Sequence, residues 1–356
     1  MTQSEAAVRA ELPDPMTQLE RKAGRIERLS AEDPQFRNSF PLEAVVAAKR
    51  QPGLRLAQVV RIVMDGYADR PALGQRAREL VIDPSSGRKA LRLLPRFDTM
   101  TYRELWSRSR AVASEWHHDS QHPLRAGDFI CILGFASTDY ATLLLASIHL
   151  GAVIVPLQTS APAAQHADII AETQPRIMAA GVDYLDAAVA AVLAGTVPQR
   201  LVVFDYDARD DGQLDKLESA RQRLADSNCK IVVDTLDVVL NRATSLPAAP
   251  LYVPNDDEDP LAWLFYTSGS TGTPKGAMLT QQLVIGTWLN QARMPAITLS
   301  FMPMSHMVGN GYMLMALANG GTSYCAPKSD LSTLFDDLAL VRPTELSFVQ
   351  IGRAHV

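Results

Sequence analysis

The chain has 356 residues, of which 47% are hydrophobic, and a formal net charge of −5. That length suits roughly two to three ordinary domains or one large one. Nucleic-acid binding is disfavoured because no concentrated block of Lys and Arg stands out. The three cysteines, Cys131, Cys229 and Cys325, show no metal-site spacing. They are predicted to be reduced thiols in a cytoplasmic protein.

The N-terminal segment is polar and acidic and lacks an apolar signal sequence. No apolar run approaches the ~18 residues of a membrane span, so no membrane contact is expected. Residues 1–53 are predicted to form a charged helical extension, with breaks at Asp33-Pro34 and Phe40-Pro41. Residues 54–67 place apolar side chains on one stripe of a further helix.

Short apolar runs then alternate with helical patterns. The predicted strands are Phe129–Leu133, Ala152–Val155, Arg176–Ala179, Leu201–Phe204, Lys230–Val233, Ala262–Tyr266, Ile297–Met302, Thr322–Cys325 and Glu345–Val349. The predicted helices are Tyr102–Trp116, Tyr140–Leu150, Ala163–Thr173, Tyr184–Leu193, Leu214–Ala225, Leu279–Arg293 and Leu331–Leu340. Continuous Val/Ile/Leu strands separated by helices indicate an α/β fold, with layered parallel sheet covered on both faces.

The most informative segment is Tyr266–Met278, YTSGSTGTPKGAM, which follows a predicted buried strand. Glycines let backbone N–H groups approach an anion closely, and consecutive N–H groups of this kind form an anion-binding concavity. Hydroxyl groups add donors, and a lysine supplies a mobile positive charge for phosphate oxygens. The predicted nucleotide-binding residues here are Thr267, Ser268, Gly269, Ser270, Thr271, Gly272, Thr273 and Lys275.

This loop differs from the G-x-x-x-x-G-K-[ST] loop of other nucleotide hydrolases, because Pro274 precedes Lys275 and Gly276 follows it. Gly/Ser/Thr-rich stretches are often flexible linkers, which is the alternative interpretation. The position directly after an apolar strand, and the single Pro and Lys at its end, favour a phosphate-binding loop.

A second candidate is His306, which follows the predicted strand Ile297–Met302. Ser305 is the predicted N-cap, which would place His306 in the first helical turn. A helix N-terminus favours a neutral imidazole, which can hydrogen-bond near a carboxylate or phosphate. The methionines around it suit an irregular apolar acyl group or simple core filling: they are Met302, Met304, Met307, Met313 and Met315.

The loop sequence YTSGSTGTPKG resembles the signature of the adenylate-forming superfamily, which includes acyl-CoA synthetases, luciferases and peptide-synthetase adenylation domains. MTYREL (Met100–Leu105) and LLLASIHLGAVIVPL (Leu143–Leu157) resemble two further family segments, in the expected order. The resemblance is closest to the adenylation domain of bacterial carboxylic acid reductases. It is carried by residues 54–77, 91–108 and 301–349.

This resemblance implies that residues 54–349 are the incomplete N-terminal subdomain of an adenylation domain. It implies ATP and Mg²⁺ as cofactors, a carboxylic acid as substrate, and acyl-AMP as product. Lys275 and His306 would be the catalytic residues, His306 would also contact the nucleotide, and Thr267 would contact the metal. In the parent enzyme the acyl group would pass to a phosphopantetheine carrier domain of the same chain and be reduced to an aldehyde with NADPH.

Two alternatives remain open, a free-standing fatty acyl-CoA synthetase and an inactive nucleotide-binding fragment. Residues 350–356 are predicted to be a non-native tail. The hypothesis rests on Ile351–Val356, because the codons ATC GGA AGA GCA CAC GTC would encode this segment and resemble a sequencing-library adapter.

Overall fold

The computed structural model describes residues 15–267, 274–290, 292 and 295–347. Its first helices are α1 (Pro15–Glu32), α2 (Pro34–Asn38), α3 (Glu43–Lys49) and α4 (Leu56–Gly66). The break between α1 and α2 has a local cause, because the Asp33 carboxylate accepts hydrogen bonds from two backbone N–H groups of α2.

The strands, in chain order, are β1 (Pro71–Ile82), β2 (Lys89–Thr101), β3 (Phe129–Leu133), β4 (Val153–Leu157), β5 (Ile177–Gly181), β6 (Arg200–Phe204), β7 (Val232–Thr235), β8 (Leu261–Thr267), β9 (Lys275–Thr280), β10 (Ile297–Ser300) and β11 (Thr322–Cys325). The remaining helices are α5 (Tyr102–His118), α6 (Thr138–Leu150), α7 (Ala163–Thr173), α8 (Leu185–Ala194), α9 (Asp211–Asp226), α10 (Leu236–Ala243), α11 (Gln281–Leu289), α12 (Met307–Ala318) and α13 (Leu334–Val341), with a 3₁₀ turn at Val182–Tyr184.

These strands form two sheets. The larger sheet has seven strands in the order β7-β6-β5-β3-β4-β8-β9, and only its β8–β9 pair is antiparallel. The smaller sheet has the order β10-β11-β1-β2, with β1 and β2 forming an antiparallel hairpin. The layered α/β fold with parallel sheet is therefore confirmed, with antiparallel strands added at both sheets.

Helices cover both faces of the seven-stranded sheet. Ile130 and Ile132 of β3 pack with α5 and α6 on one face, whereas Cys131 and Leu133 pack with α7, α8 and α9 on the other. Alternate residues of one strand thus enter two separate cores, which explains why these strands are apolar along their whole length.

The N-terminal helices are tied to the smaller sheet and its helix α12. Phe36 of α2 is buried, and the Lys49 ammonium donates to the carbonyl of Ala318 at 2.6 Å from a fully buried position. Burial lowers the pKa of Lys49 to about 8, with a smaller contribution from the charge of Arg50. The extension is thus anchored by a specific polar contact as well as by apolar packing.

Most predicted elements are confirmed within a few residues, and β3, β11 and α7 have the predicted bounds. The sequence missed the β1–β2 hairpin, β9 and α10. The predicted strand Glu345–Val349 is wrong over its described part, since residues 345–347 are not in a strand; residues 348–349 lie outside the described residues. Residues 350–356, the predicted tail, also lie outside them. Among the described helices, none combines the length and apolar character needed to cross a bilayer.

Candidate functional site

The predicted phosphate loop is closed by a β-hairpin. Residues 262–265 of β8 are buried, and β8 pairs antiparallel with β9 so that Thr267 lies opposite Lys275. The Thr267 hydroxyl lies 3.5 Å from the Lys275 carbonyl oxygen, to which it donates. The two predicted residues at the ends of the loop are therefore neighbours across the hairpin. Ser268, Gly269, Ser270, Thr271, Gly272 and Thr273 lie outside the described residues.

Lys275 is the first residue of β9 and is exposed to solvent. The sequence had placed it in a loop that leads directly into a helix from Leu279. The structure corrects this, because a strand intervenes and α11 begins at Gln281. Lys275 forms no ion pair with any described residue, so its charge is available to an anion held by the loop.

Tyr266 precedes this pair on β8. Its hydroxyl is buried, and no group among the described residues lies in hydrogen-bonding geometry with it. Burial, together with the nearby Glu172 carboxylate, raises the pKa of Tyr266. The ring therefore stays uncharged and supports the end of the strand through packing.

His306 caps α12. Its Nδ1 accepts a hydrogen bond of 3.2 Å from the backbone N–H of Val308, and the residue is exposed. The prediction of Ser305 as N-cap is wrong by one residue: the imidazole itself satisfies a free N–H of the first turn. Since Nδ1 is the acceptor, a neutral ring carries its proton on Nε2.

The turn before α12 is held by a close approach at Gly309. A Cβ there would lie 2.2 Å from the carbonyl oxygen of Pro303. Asn310 is also buried, and its side-chain amide donates to the carbonyl of Met304. These contacts fix the path of the chain between β10 and α12 and thus the position of His306.

An apolar cavity of about 270 Å³ joins the hairpin to α12. It is lined by residues of β8, β9, α11 and α12, namely Trp263, Phe265, Leu279, Leu283, Val284, Thr287, Met307, Asn310, Gly311 and Leu314. Phe265 lies two residues before Thr267, and Met307 follows His306. The structure thus places the β8–β9 hairpin and the turn before α12 that contains His306 on adjoining sides of one cavity. Thr267, Lys275 and His306 themselves do not line it.

The predicted methionine wall is mostly core. Met302, Met304 and Met313 are buried, whereas Met307 lines the cavity and is 56% exposed. The sequence analysis missed the aromatic and aliphatic lining residues. One signal was available in α12, where the lining residues Met307, Asn310, Gly311 and Leu314 follow the 3,4,7 spacing of one helical face.

The described residues fit a polyphosphate better than a preformed metal site. A hydroxyl at Thr267 and an unpaired ammonium at Lys275 are groups that bind phosphate oxygens. No cluster of three or more His, Cys, Asp or Glu side chains suitable for a metal occurs in the described part of the chain. Mg²⁺ can take one or two protein oxygens and complete its shell with phosphate oxygens and water. Thr267 could supply one such oxygen.

The fold combines a mainly parallel sheet, a hairpin at the glycine-rich segment and a helix capped by His306. Residues 73–350 match the family described as AMP-binding enzyme. The chain belongs to that family.

Within the family, the chain is similar to carboxylic acid reductases. It is 50% identical over 336 residues to the carboxylic acid reductase of Mycobacterium tuberculosis, covering 93% of this chain and 28% of the relative. The A domain of the Segniliparus rugosus enzyme, solved with AMP and a co-purified carboxylic acid, superposes with a TM-score of 0.86 at 43% identity. That match covers 90% of this chain and 52% of the solved one.

The A-PCP didomain of the Segniliparus rugosus enzyme, in complex with AMP, also superposes with a TM-score of 0.86, at 45% identity. That match covers 90% of this chain and 46% of the didomain. The chain therefore spans about half of the solved A domain and just over a quarter of the curated relative.

Proposed function

We propose that this chain is part of an adenylation domain that activates a carboxylic acid as acyl-AMP with ATP. In the full-length enzyme this activation would be the first step in the ATP- and NADPH-dependent reduction of the acid to an aldehyde. The observation that carries the proposal is the hairpin that places Thr267 opposite Lys275, in a chain so similar to carboxylic acid reductases. The Lys275 ammonium has no ion-pair partner among the described residues.

The reaction needs the acid carboxylate to attack the α-phosphate of ATP while pyrophosphate departs. Such reactions depend mainly on positioning and on stabilising charge. Lys275 would offset negative charge on the departing pyrophosphate, and His306 would lie beside the carboxylate and α-phosphate. The nucleotide would be held by Thr267, Ser268, Gly269, Ser270, Thr271, Gly272, Thr273, Lys275 and His306, with Thr267 also contacting Mg²⁺.

The apolar cavity beside the hairpin would take the organic part of the acid. Its lining is aromatic and aliphatic, with Asn310 and Thr287 as its polar side chains. Ligand pockets of this kind bury apolar groups and use a few polar groups for orientation. This supports an acid with an apolar body.

The proposed partners of the chain follow from the same similarity. A phosphopantetheine carrier domain of the full-length chain would receive the acyl group, and the didomain relative supports this partner. Residues 1–53 would form the helical extension and residues 54–349 the adenylation subdomain of a cytoplasmic enzyme.

ATP–pyrophosphate exchange tests the role of Lys275. We expect Lys275→Ala in the full-length enzyme to lower exchange by about 10²-fold or more, as for other lost transition-state donors. The matched control is Lys89→Ala, since Lys89 is also the exposed first residue of a strand. Equal exchange in the two variants would remove Lys275 from the mechanism.

Product analysis separates the reductase from the acyl-CoA synthetase alternative. Aldehyde that forms only with ATP and NADPH supports the reductase. Acyl-CoA released on addition of coenzyme A, with no aldehyde, supports the synthetase. The 50% identity to a carboxylic acid reductase favours the first outcome.

A further inference from the structure

A second cavity, separate from the one beside the β8–β9 hairpin, lies where two connections of the larger sheet diverge. The chain leaves β3 for β4 on one side, and it leaves β5 for β6 on the other. The helices that follow these strands, α6 and α8, pack in the two different cores. In open α/β sheets, ligands bind outside the carboxyl ends of strands at such a switch point.

The structure has a cavity at this point. Its volume is about 420 Å³, which lies in the range of small-molecule sites. It is lined by Ser137 after β3, Tyr184 after β5 and Asp205 after β6. The smaller sheet closes the other side with Gln75 of β1 and Lys328 after β11.

Two basic side chains and one amide on the lining can donate hydrogen bonds into this cavity. Arg78 and Lys328 are exposed on its lining and form no ion pair with a described residue. The Gln75 side-chain oxygen accepts from the Thr138 hydroxyl at 2.6 Å, which leaves the Gln75 NH₂ group free to donate. Two cations and an amide donor therefore face the same space.

Asp205 adds a buried carboxyl group. Its Oδ1 atom is inaccessible to solvent and has no hydrogen-bond partner among the described residues. Burial and the neighbouring Asp139 carboxylate raise the pKa of Asp205 to about 8. This raised pKa weakens the repulsion of an anion by Asp205.

The other acidic groups on the lining are already engaged. Asp183 is paired with Lys216 at 2.6 Å, and Asp330 accepts from the backbone N–H of Ser332 at 2.9 Å. Both are exposed, where their charge is screened by solvent. Among the described residues, two lining cations without an ion pair, Arg78 and Lys328, thus stand against one lining carboxylate that has no ion pair and is exposed, Asp330.

We propose that the crevice between the ends of β3 and β5 is a second binding site, which takes a small molecule with a phosphate or carboxylate head group. Arg78 and Lys328 bind the oxyanion, and Gln75 donates to it. This site lies at the centre of the sheet, whereas the proposed ATP hairpin lies at its β9 edge, and β4 separates β3 from β8.

Anion titration of the full-length protein tests the site. Inorganic phosphate and benzoate are added at constant ionic strength, and binding is followed by calorimetry and by the shift in melting temperature. We expect saturable binding of at least one of the two, and the probe that binds identifies the head group. The double variant Arg78→Ala/Lys328→Ala should weaken anion binding about tenfold or more, since charge-assisted hydrogen bonds are lost.

Two controls separate this site from general charge effects and from the hairpin. Arg92→Ala/Arg96→Ala removes two exposed arginines from the same β1–β2 sheet edge and should leave anion affinity unchanged. The titrations are repeated in a Lys275→Ala background, which removes the proposed phosphate contact of the hairpin, so that binding in that background reports the crevice. Lys328→Glu alone should abolish binding, and it alters only an exposed side chain.

The proposal is overturned if neither probe binds saturably, or if Arg78→Ala/Lys328→Ala binds as the wild type does. It is also overturned if Lys275→Ala removes the binding, which would place the anion at the hairpin. ATP–pyrophosphate exchange on the same samples reports the proposed function separately. Normal exchange without anion binding would refute this site alone, whereas anion binding without exchange would refute adenylation alone.

Discussion

The two edges of the seven-stranded sheet hold a basic side chain in opposite ways. Near the β7 edge, Arg200 is 1% exposed and forms ion pairs with Glu115, Asp119 and Asp234 at 2.8–2.9 Å. At the β9 edge, Lys275 is exposed and has no ion-pair partner among the described residues. A buried cation surrounded by carboxylates contributes to the fold, whereas an exposed, unpaired cation is free to bind a ligand.

The Arg200 cluster is balanced by a second cation. Arg242 contacts Asp234 at 2.6 Å and Glu115 at 3.2 Å. Burial alone would raise the pKa of Asp234, but hydrogen bonds from Arg242 and Arg200 outweigh it and hold that pKa below its usual range. Asp234 is therefore ionised at neutral pH, and removing one cation leaves buried negative charge without that partner.

The largest effect is expected from Arg200→Ala. Breaking a buried ion pair by removing one partner costs about 3–5 kcal/mol, because the remaining charges stay buried. The denaturant midpoint, followed by the fluorescence of the buried tryptophans, measures this loss. Lys275→Ala is the control and should stay within about 0.5 kcal/mol of the wild type, as exposed substitutions usually do. Equal midpoints for the two variants would contradict the contrast between the edges.

Burial explains which strands of the molecule could be predicted from the sequence and which could not. The strand β3, FICIL, is apolar throughout, so its bounds were predictable from composition. The edge strand β9, KGAMLT, has its first four residues exposed and starts inside the glycine-rich segment, so no apolar run marked it. The β1–β2 hairpin was missed for a related reason, since many of its side chains are charged and exposed.

The candidate site was predicted as residue types but not as geometry. The glycines, hydroxyls and Lys275 indicated phosphate binding from composition alone. The pairing of Thr267 with Lys275 depends on the antiparallel register of β8 and β9, which the local sequence does not encode. The Arg200 cluster was not predicted because its carboxylates come from two distant segments, at residues 115–119 and at residue 234.

An intermediate effect is expected from Gly309→Ala, which tests how rigidly the His306 turn is held. The new Cβ would lie 2.2 Å from the carbonyl oxygen of Pro303, and backbone must shift to admit it. Overpacking of this kind costs about 1–3 kcal/mol. The denaturant midpoint should fall, and ATP–pyrophosphate exchange should fall with it.

Gly311→Ala is the matched control in the same helix, because a Cβ there meets no atom within 4 Å. It should leave stability unchanged or raise it by up to about 1 kcal/mol, since alanine is the better helix former. A Gly309→Ala variant as stable as Gly311→Ala would show that the turn adapts easily.

The smallest effect is expected from a change of pH. This measurement tests whether Asp234 of the Arg200 cluster is stabilised by its arginine partners. A carboxylate whose pKa is lowered in the folded state contributes stability above its unfolded pKa, and this contribution is lost as pH falls through the folded pKa. Each pKa unit corresponds to about 1.4 kcal/mol. Asp234→Asn should therefore be less stable than the wild type at pH 7, and the difference should shrink below pH ~4.

The same measurement on Asp186→Asn provides the control. Asp186 is also paired with an arginine, but its side chain is 72% exposed, and surface pairs contribute about 0–1 kcal/mol. Its stability difference from the wild type should be small at both pH values. If the Asp234→Asn difference were equally small at pH 7, the buried charges would not be stabilised by their partners. The Arg200 cluster would then be no more structural than the exposed lysine at the other edge of the sheet.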